Sequence, residues 1–351
     1  MMNQQIETIE PNLPEETTEP VETISARVLL LGGVGALSGA TLAMEEPLQA
    51  DCAAHDLRVS ALSACDKSAA VWLKQNGADV VSLAGMQGGQ TEEIADALGE
   101  AKLVGAGQTE ALANAPVVLC VNDVRIGFLA YSERRAGGFD GRADILGLAV
   151  YDHVRMLLSQ CDHVIVLVSA GLEGGELPLP EWRARYRRLI DAGASAVVDT
   201  GSVKGWEAYK HGLIFYGLGE PTASASLMLS LTLLQNGRLR YEARVLKSAG
   251  GKIGYSTDET EKQRINEQNA LFFNDAAYLA AADAMCRRYY EEREEPQKRG
   301  FLEALLGIRG EAARQAEETR LNDLLGNESR RLAMLRALSA RHSATEKAGD
   351  V

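Results

Sequence analysis

Few side chains in this 351-residue chain have both the type and the spacing for chemistry. The five histidines, His55, His153, His163, His211 and His342, form no H-x-H or H-x-x-x-H pair, so metal ligation from one strand or one helix face is unsupported. His163 precedes a strand and His211 sits in a turn, where solvated structural roles are expected. The five cysteines, Cys52, Cys65, Cys120, Cys161 and Cys286, show no C-x-x-C spacing, which argues against a zinc knuckle and a disulfide framework and for reduced thiols. Ser169-Ala170-Gly171 supplies half of a nucleophile elbow, but Leu167 stands where the first glycine belongs and no histidine is placed to activate the hydroxyl. Two glycine-rich stretches fail as phosphate cradles. Counting from Gly33, GGVGALSG (32–39) has Ser38 at the third glycine of a dinucleotide fingerprint, and AGGKIG (249–254) has Leu246 and Ile253 where a phosphate loop needs Gly and Ser or Thr. Arg183, Arg185, Arg187 and Arg188 could receive an anionic ligand, although arginines so spaced more often line a solvated face. In NGADVVSLAGMQGGQ (76–90), an apolar strand leads into a turn whose Gly85, Met86 and Gln87 are poor ligands for a hard or borderline divalent cation.

The elements that would carry these residues alternate. Apolar runs at 28–31, 80–83 and 164–168 read as buried strands, and 66–76, 91–98 and 180–192 as helices, the last closed by Gly193. Segments 117–121 and 125–131, joined through Asn122 and Asp123, form an expected hairpin. Strands at 196–198, 214–216 and 227–234 continue a mixed α/β core to about residue 256. Beyond Asp258 the pattern becomes helical, and Leu321, Leu324, Leu325, Leu332, Leu335 and Leu338 make one apolar stripe, expected to pack on its own domain. The domain organisation expected is an acidic disordered tail (1–25), an α/β domain (26–257), a helical region (258–342) and a short disordered tail (343–351).

Composition narrows the partners. With 46% hydrophobic and 24% charged residues the chain is an ordinary globular one, and a net charge of -13 opposes nucleic acid and anionic membranes as partners. The first 24 residues hold six Glu and no Lys or Arg, unlike a secretory signal, and no apolar run approaches membrane-spanning length. A cytoplasmic location is expected.

Five segments in order, ADVVSLA (78–84), VGAG (104–107), APVVLCVNDVRIGFLAYSE (115–133), RRLIDAGASAVV (187–198) and EAYKHGLIFYGLGE (207–220), resemble the CapA/PgsA family of bacterial capsule and poly-gamma-glutamate synthesis proteins, related to the calcineurin-like metallophosphoesterases. The resemblance runs from about Val28 to Tyr255. It implies a four-layer α/β/β/α sandwich with a two-metal site at the strand ends, where the metals would clamp a phosphate-like or carboxyl group. The family's Gly-Asp stands here as Gly32-Gly33, and its Asn-Leu-Glu as Ala43-Met44-Glu45. Asn-Asn-His becomes Gly85-Met86-Gln87 and His-Trp-Gly becomes Ser169-Ala170-Gly171. The histidine-rich turn becomes Asp199-Thr200-Gly201-Ser202, and Gly-Asn-Phe becomes Gly219-Glu220-Pro221.

The positions matching the family site are therefore Gly33, Glu45, Gln87, Ser169, Asp199, Ser202 and Glu220, with no catalytic residue, metal or cofactor assigned. The function expected is a non-catalytic family member with a binding or assembly role linked to capsule or polyglutamate-type polymer synthesis. Its expected partners are a protein or second copy engaging the C-terminal helices, and an anionic small molecule or polymer. The alternative is a hydrolase of the same fold acting on an anionic polymer or phosphoester through a rebuilt, metal-poor cleft.

Overall fold

In the computed structural model, residues 25–37, 42–86, 91–133, 141–222, 225–294 and 326–349 are described, with a few isolated positions from 315 to 324. The expected acidic tail, save Ser25, and Gln87 lie outside them.

Alternation along the strands decides the layering, because successive side chains of a strand point to opposite faces. One sheet has eight strands in the order β2 (Ala43–Met44), β14 (Lys252–Tyr255), β13 (Leu239–Ala249), β12 (Ser226–Leu234), β1 (Ser25–Val34), β3 (Leu57–Leu62), β4 (Val80–Ser82) and β5 (Lys102–Val104). The other has six, in the order β10 (Trp206–Tyr209), β11 (Gly212–Phe215), β9 (Ala196–Asp199), β8 (His163–Ser169), β7 (Val124–Ser132) and β6 (Val117–Val121). Strands β1, β3, β4 and β5 are mutually parallel, as are β7, β8, β9 and β11.

Val28 and Leu30 of β1, Phe128 of β7, Ile165 and Leu167 of β8 and Leu229 and Leu231 of β12 meet in a core between the sheets. The alternate residues Leu29 and Leu31 face outward onto α1 (Glu46–Ala53), α2 (Lys67–Gln75) and α3 (Thr91–Leu98) through Leu48, Trp72, Leu73 and Ile94. On the opposite side, Leu129, Val166 and Val168 face α5 (Ala149–Leu158) and α6 (Pro180–Asp191). The result is a four-layer α/β/β/α sandwich. A short α4 (Glu110–Ala113) precedes the β6–β7 hairpin, whose Asn122 and Asp123 have φ of 49° and 61°, as a two-residue type I′ turn requires.

The helices α7 (Glu259–Leu271), α8 (Asp275–Tyr289) and α9 (Glu328–Gly349) cover the six-stranded side, adding Phe272, Tyr278, Met285 and Cys286 to the same cluster as Trp182 and Tyr186. Of the leucine stripe, Leu321 and Leu325 lie outside the described residues, Leu324 is 4% exposed and Leu332 packs against this cluster, but Leu335 and Leu338 do not share the packed face of α9. Ser329, Ala333 and Ala337, spaced by four, are fully buried, whereas Leu335 is 52% exposed and Leu338 39%. Small residues let α9 approach closely, which a leucine at those positions would prevent. The helix α9 runs to Gly349.

Two other expectations change. His163 is wholly buried rather than solvated, its Nδ1 3.0 Å from Ser195 Oγ and its Nε2 2.7 Å from Leu234 O, so it ties β8 to the β12 end of the other sheet. The α6 arginines do not share a solvated face. Arg183 is 4% exposed and, with Arg187, donates to Glu207 at 2.7–3.2 Å, while Arg183 also reaches Asp275 and the Phe272 carbonyl of the C-terminal helices.

Candidate functional site

The parallel strands of both sheets end along one edge, where an enzyme of this architecture would gather its ligands. Here that edge is drawn together by backbone. Gly33 N–H, near the end of β1, donates to Thr200 O, just past β9, at 3.1 Å. Leu218 N–H donates to Asp199 O at 3.0 Å and Gly219 N–H to Gly201 O at 2.7 Å, stitching the loop after β11 onto the loop after β9. A Cβ built on Gly32 would lie 1.6 Å from Gly219 O, and one on Gly85 2.3 Å from Ser169 Oγ. Both contacts are too short for any side chain, so these glycines are what allow the two sheet edges to touch.

The sequence-derived site residues divide accordingly. Gly33, Ser169, Asp199 and Glu220 come together at this edge. Glu220 accepts from Ser63 Oγ at 2.7 Å, across Gly35, whose Cβ would stand 3.0 Å from its carboxylate oxygens. Ser202 lies on the same edge with an exposed residue surface, its carbonyl packed against Gly217. Glu45 is not brought to them. It precedes α1, with its N–H on Ile253 O and its carboxylate against Gly254, at the β2–β14 margin; β2 is four places from β1 in the sheet.

Behind the edge is a buried polar cluster. Asp199, 2% exposed, accepts from Tyr186 OH at 2.5 Å and from Gly201 N–H at 2.7 Å. Glu133, following β7, accepts from Ser329 N–H at 2.5 Å, from Ser329 Oγ at 2.6 Å and from Gly171 N–H at 3.3 Å. Its carboxylate therefore caps the first turn of α9 from outside the helix, where the dipole favours negative charge. Trp182 Nε1 donates to the same Ser329 hydroxyl at 2.7 Å. Lys204, 3% exposed, is near enough to both carboxylates for their charge to act on it.

Burial pushes the Asp199 carboxyl up to about 6, with Lys204 and the Tyr186 hydroxyl restraining the rise. Burial likewise raises Glu133, against the Ser329 donors, and lowers Lys204, against the pull of Asp199 and Glu133. The three form a compensated group: an ammonium supplies to these carboxylates the positive charge a bound cation would otherwise supply.

A two-cation centre needs carboxylate, amide and imidazole donors converging on one point. Among the described residues, no three of His, Cys, Asp and Glu are grouped to hold a metal ion. Asp199 is committed to Tyr186 and Gly201, Glu220 to Ser63, and Glu45 lies at the sheet margin. The described residues do not fit a two-metal centre. Sequence reading missed Glu133, Lys204, Tyr186 and Ser329. Glu133 and Lys204 follow apolar strand runs by a few residues, which is the available signal, but nothing local pairs them with Ser329, 196 residues along the chain from Glu133.

The profile of the family described as bacterial capsule synthesis protein PGA_cap matches residues 44–223, 180 of the 351. No curated protein matches the chain. Among solved structures, a hypothetical protein from Thermus thermophilus is similar at 18% identity and a TM-score of 0.45, covering 64% of this chain and 100% of its own. A phosphatase from Mycoplasma pneumoniae is similar at 12% identity and a TM-score of 0.46, covering 64% and 94%. With the family profile spanning the strand ends from β2 to the loop after β11, the chain belongs to the bacterial capsule synthesis protein family.

Proposed function

We propose that this chain is a non-catalytic member of its family, with a binding or assembly role linked to synthesis of a capsule or polyglutamate-type polymer. The observation that carries the reading is the closed edge. Gly33 bonds directly to Thr200, Gly85 abuts Ser169, and Lys204 compensates the buried Asp199 and the half-buried Glu133. Losing preorganised charge at a reacting centre costs roughly 3–4 kcal/mol of transition-state stabilisation per group, so a hydrolase here would have to recover that from groups that are buried and already bonded.

The C-terminal helices support the assembly part of the reading. Leu279 of α8 and Leu335 and Leu338 of α9 are 39–52% exposed on adjacent helices, an apolar outer face suited to a protein partner or a second copy. A cytoplasmic setting agrees with five unpaired thiols. No helix among the described residues is long and apolar enough to cross a membrane.

Metal analysis of the purified full chain, combined with phosphodiesterase and gamma-glutamyl hydrolase screens with added Mn, Zn or Fe, tests the catalytic half. Stoichiometric metal with turnover overturns the proposal. Light scattering of the wild type and of Leu335→Glu/Leu338→Glu tests self-association through α9, which is expected to be lost in the double variant.

A further inference from the structure

The four arginines of α6 face two directions. Arg183 and Arg187, four apart, are consumed by Glu207. Arg185 and Arg188, three apart and therefore neighbours on another face of the helix, line a cavity of about 280 Å³ between α6 and α9. Glu181, Trp182, Glu328 and Leu332 complete most of its wall.

The charges around this cavity do not cancel. Glu181 is held by Arg336 at 2.8 Å, which also reaches Asp283, and Glu328 is paired with Arg331. Both wall carboxylates are thus neutralised from outside the cavity. Among the described residues Arg185 donates to the Ile145 and Leu146 carbonyls alone, at 3.1 and 3.4 Å, with its guanidinium 5.4 Å from the centre of the Trp182 ring, so its orientation is set and no described carboxylate matches its charge. Arg188 is exposed and, among the described residues, makes no ion pair. The first N–H groups of α9 add nothing, since Glu133 takes that of Ser329 and Asn327 takes that of Arg330. Two uncompensated guanidiniums, one held rigid and one free to swing, share a concave site in a chain of net charge -13.

We propose that this cavity is a binding site for a small polyvalent anion, a molecule bearing two or more carboxylate or phosphate groups, gripped by Arg185 and Arg188. Planar guanidiniums match both groups through paired N–H donors. The volume suits a molecule of citrate or pyrophosphate size and excludes a folded polymer. The site lies on the outer helical layer and is independent of whether the strand-end edge is catalytic.

Calorimetry on the full chain with citrate in one arm and pyrophosphate in the other tests this and separates the two chemistries. The expected result is a dissociation constant below about 1 mM for at least one probe, weakened about tenfold or more in Arg188→Ala and unchanged in Arg155→Ala, an exposed arginine on α5. Arg188→Ala removes no side-chain hydrogen bond or ion pair among the described residues, so its thermal unfolding should match the wild type. Failure of both probes to bind at roughly ten times that concentration, or binding that Arg188→Ala leaves within about threefold of the wild type, overturns the proposal.

Discussion

Replacing Lys204 by methionine would remove the ammonium near Asp199 and Glu133 while keeping an unbranched side chain that packs. In the wild type the Asp199 carboxyl stands at about 6, against an ordinary 3.8, chiefly because it is buried. A carboxyl raised in the folded state binds its proton more tightly there than in the unfolded chain. Its contribution to stability is therefore fully present below pH 3.8 and is lost as the pH rises through 6. About two units correspond to about 3 kcal/mol surrendered across that window. The ammonium limits this loss. Without it the Asp199 carboxyl rises further, and the loss extends above about pH 7.

The cost of Lys204→Met should accordingly depend on pH. Near pH 8, with Asp199 and Glu133 ionised and without the ammonium, the variant is expected to be less stable by about 1–3 kcal/mol, the worth of one to two pKa units of charge interaction. Near pH 5 Asp199 carries a proton in both proteins, so the difference should shrink by more than about 1 kcal/mol. Urea unfolding at the two pH values measures both quantities, and the cycle with Asp199→Asn isolates the coupling. A destabilisation that is the same at pH 5 and pH 8, or a coupling below about 0.5 kcal/mol, would refute the idea that Lys204 acts as the internal counter-ion.

Other perturbations test the packing of the C-terminal helices. Ser329→Ala removes a hydroxyl donor from Glu133 and leaves Trp182 Nε1 without its acceptor, for an expected loss of about 2–4 kcal/mol, seen in urea unfolding and in faster hydrogen exchange at the start of α9. Arg183→Met strands the buried Glu207 with Arg187 and Tyr216 alone, for about 3–5 kcal/mol by the same denaturation assay. Burial alone would raise the Glu207 carboxyl, and the donors from Arg187, Arg183 and Tyr216 hold it below its ordinary value, so in the wild type this stabilisation is lost as the pH falls. Truncation after residue 257 uncovers Trp182, Tyr186 and Tyr216 from Phe272, Tyr278 and Met285, and is expected to yield insoluble protein or one without near-ultraviolet circular dichroism. A soluble, cooperatively unfolding core would contradict the shared cluster.

The layers were legible because the strands are apolar on both faces. Runs such as residues 28–31 and 164–168 can only be central strands of a covered sheet, and the Asn122-Asp123 turn, Pro180 and Gly193 mark element boundaries at single residues. The margins were harder. β10 and the two-residue β2 are too short to show a period, and β13 alternates as an exposed strand does. For α9, counting leucines picked out Leu332, which packs, but also Leu335 and Leu338, which do not, because helix approach is set by the smallest side chains, and Ala333 and Ala337 carry little hydrophobic signal.

The site divides along the same physical line. The glycines at 32, 33 and 85 are visible in sequence as absences of donors, but their consequence is spatial: each removes a Cβ at a place where another backbone or side chain then stands within contact distance. A cleft that only lost its ligands would remain open and hydrated. Among the described residues the two sheet edges touch, and the carboxylates behind them need a nearby cation or hydrogen-bond donors, because an isolated ionised carboxylate cannot stay buried without a partner. Lys204 supplies the charge from the loop after β9, and Ser329 of the C-terminal helix supplies hydrogen-bond donors to Glu133. The added helices are therefore tied to this edge through Glu133. Restoring one ligand, as in Gly33→Asp, should then fail to restore metal binding, since the Cβ would already stand 3.3 Å from Thr200 O and Lys204 would still compensate Asp199. Stoichiometric zinc or manganese in that single variant, measured on the purified protein, would show instead that the edge opens readily and that its closure is incidental.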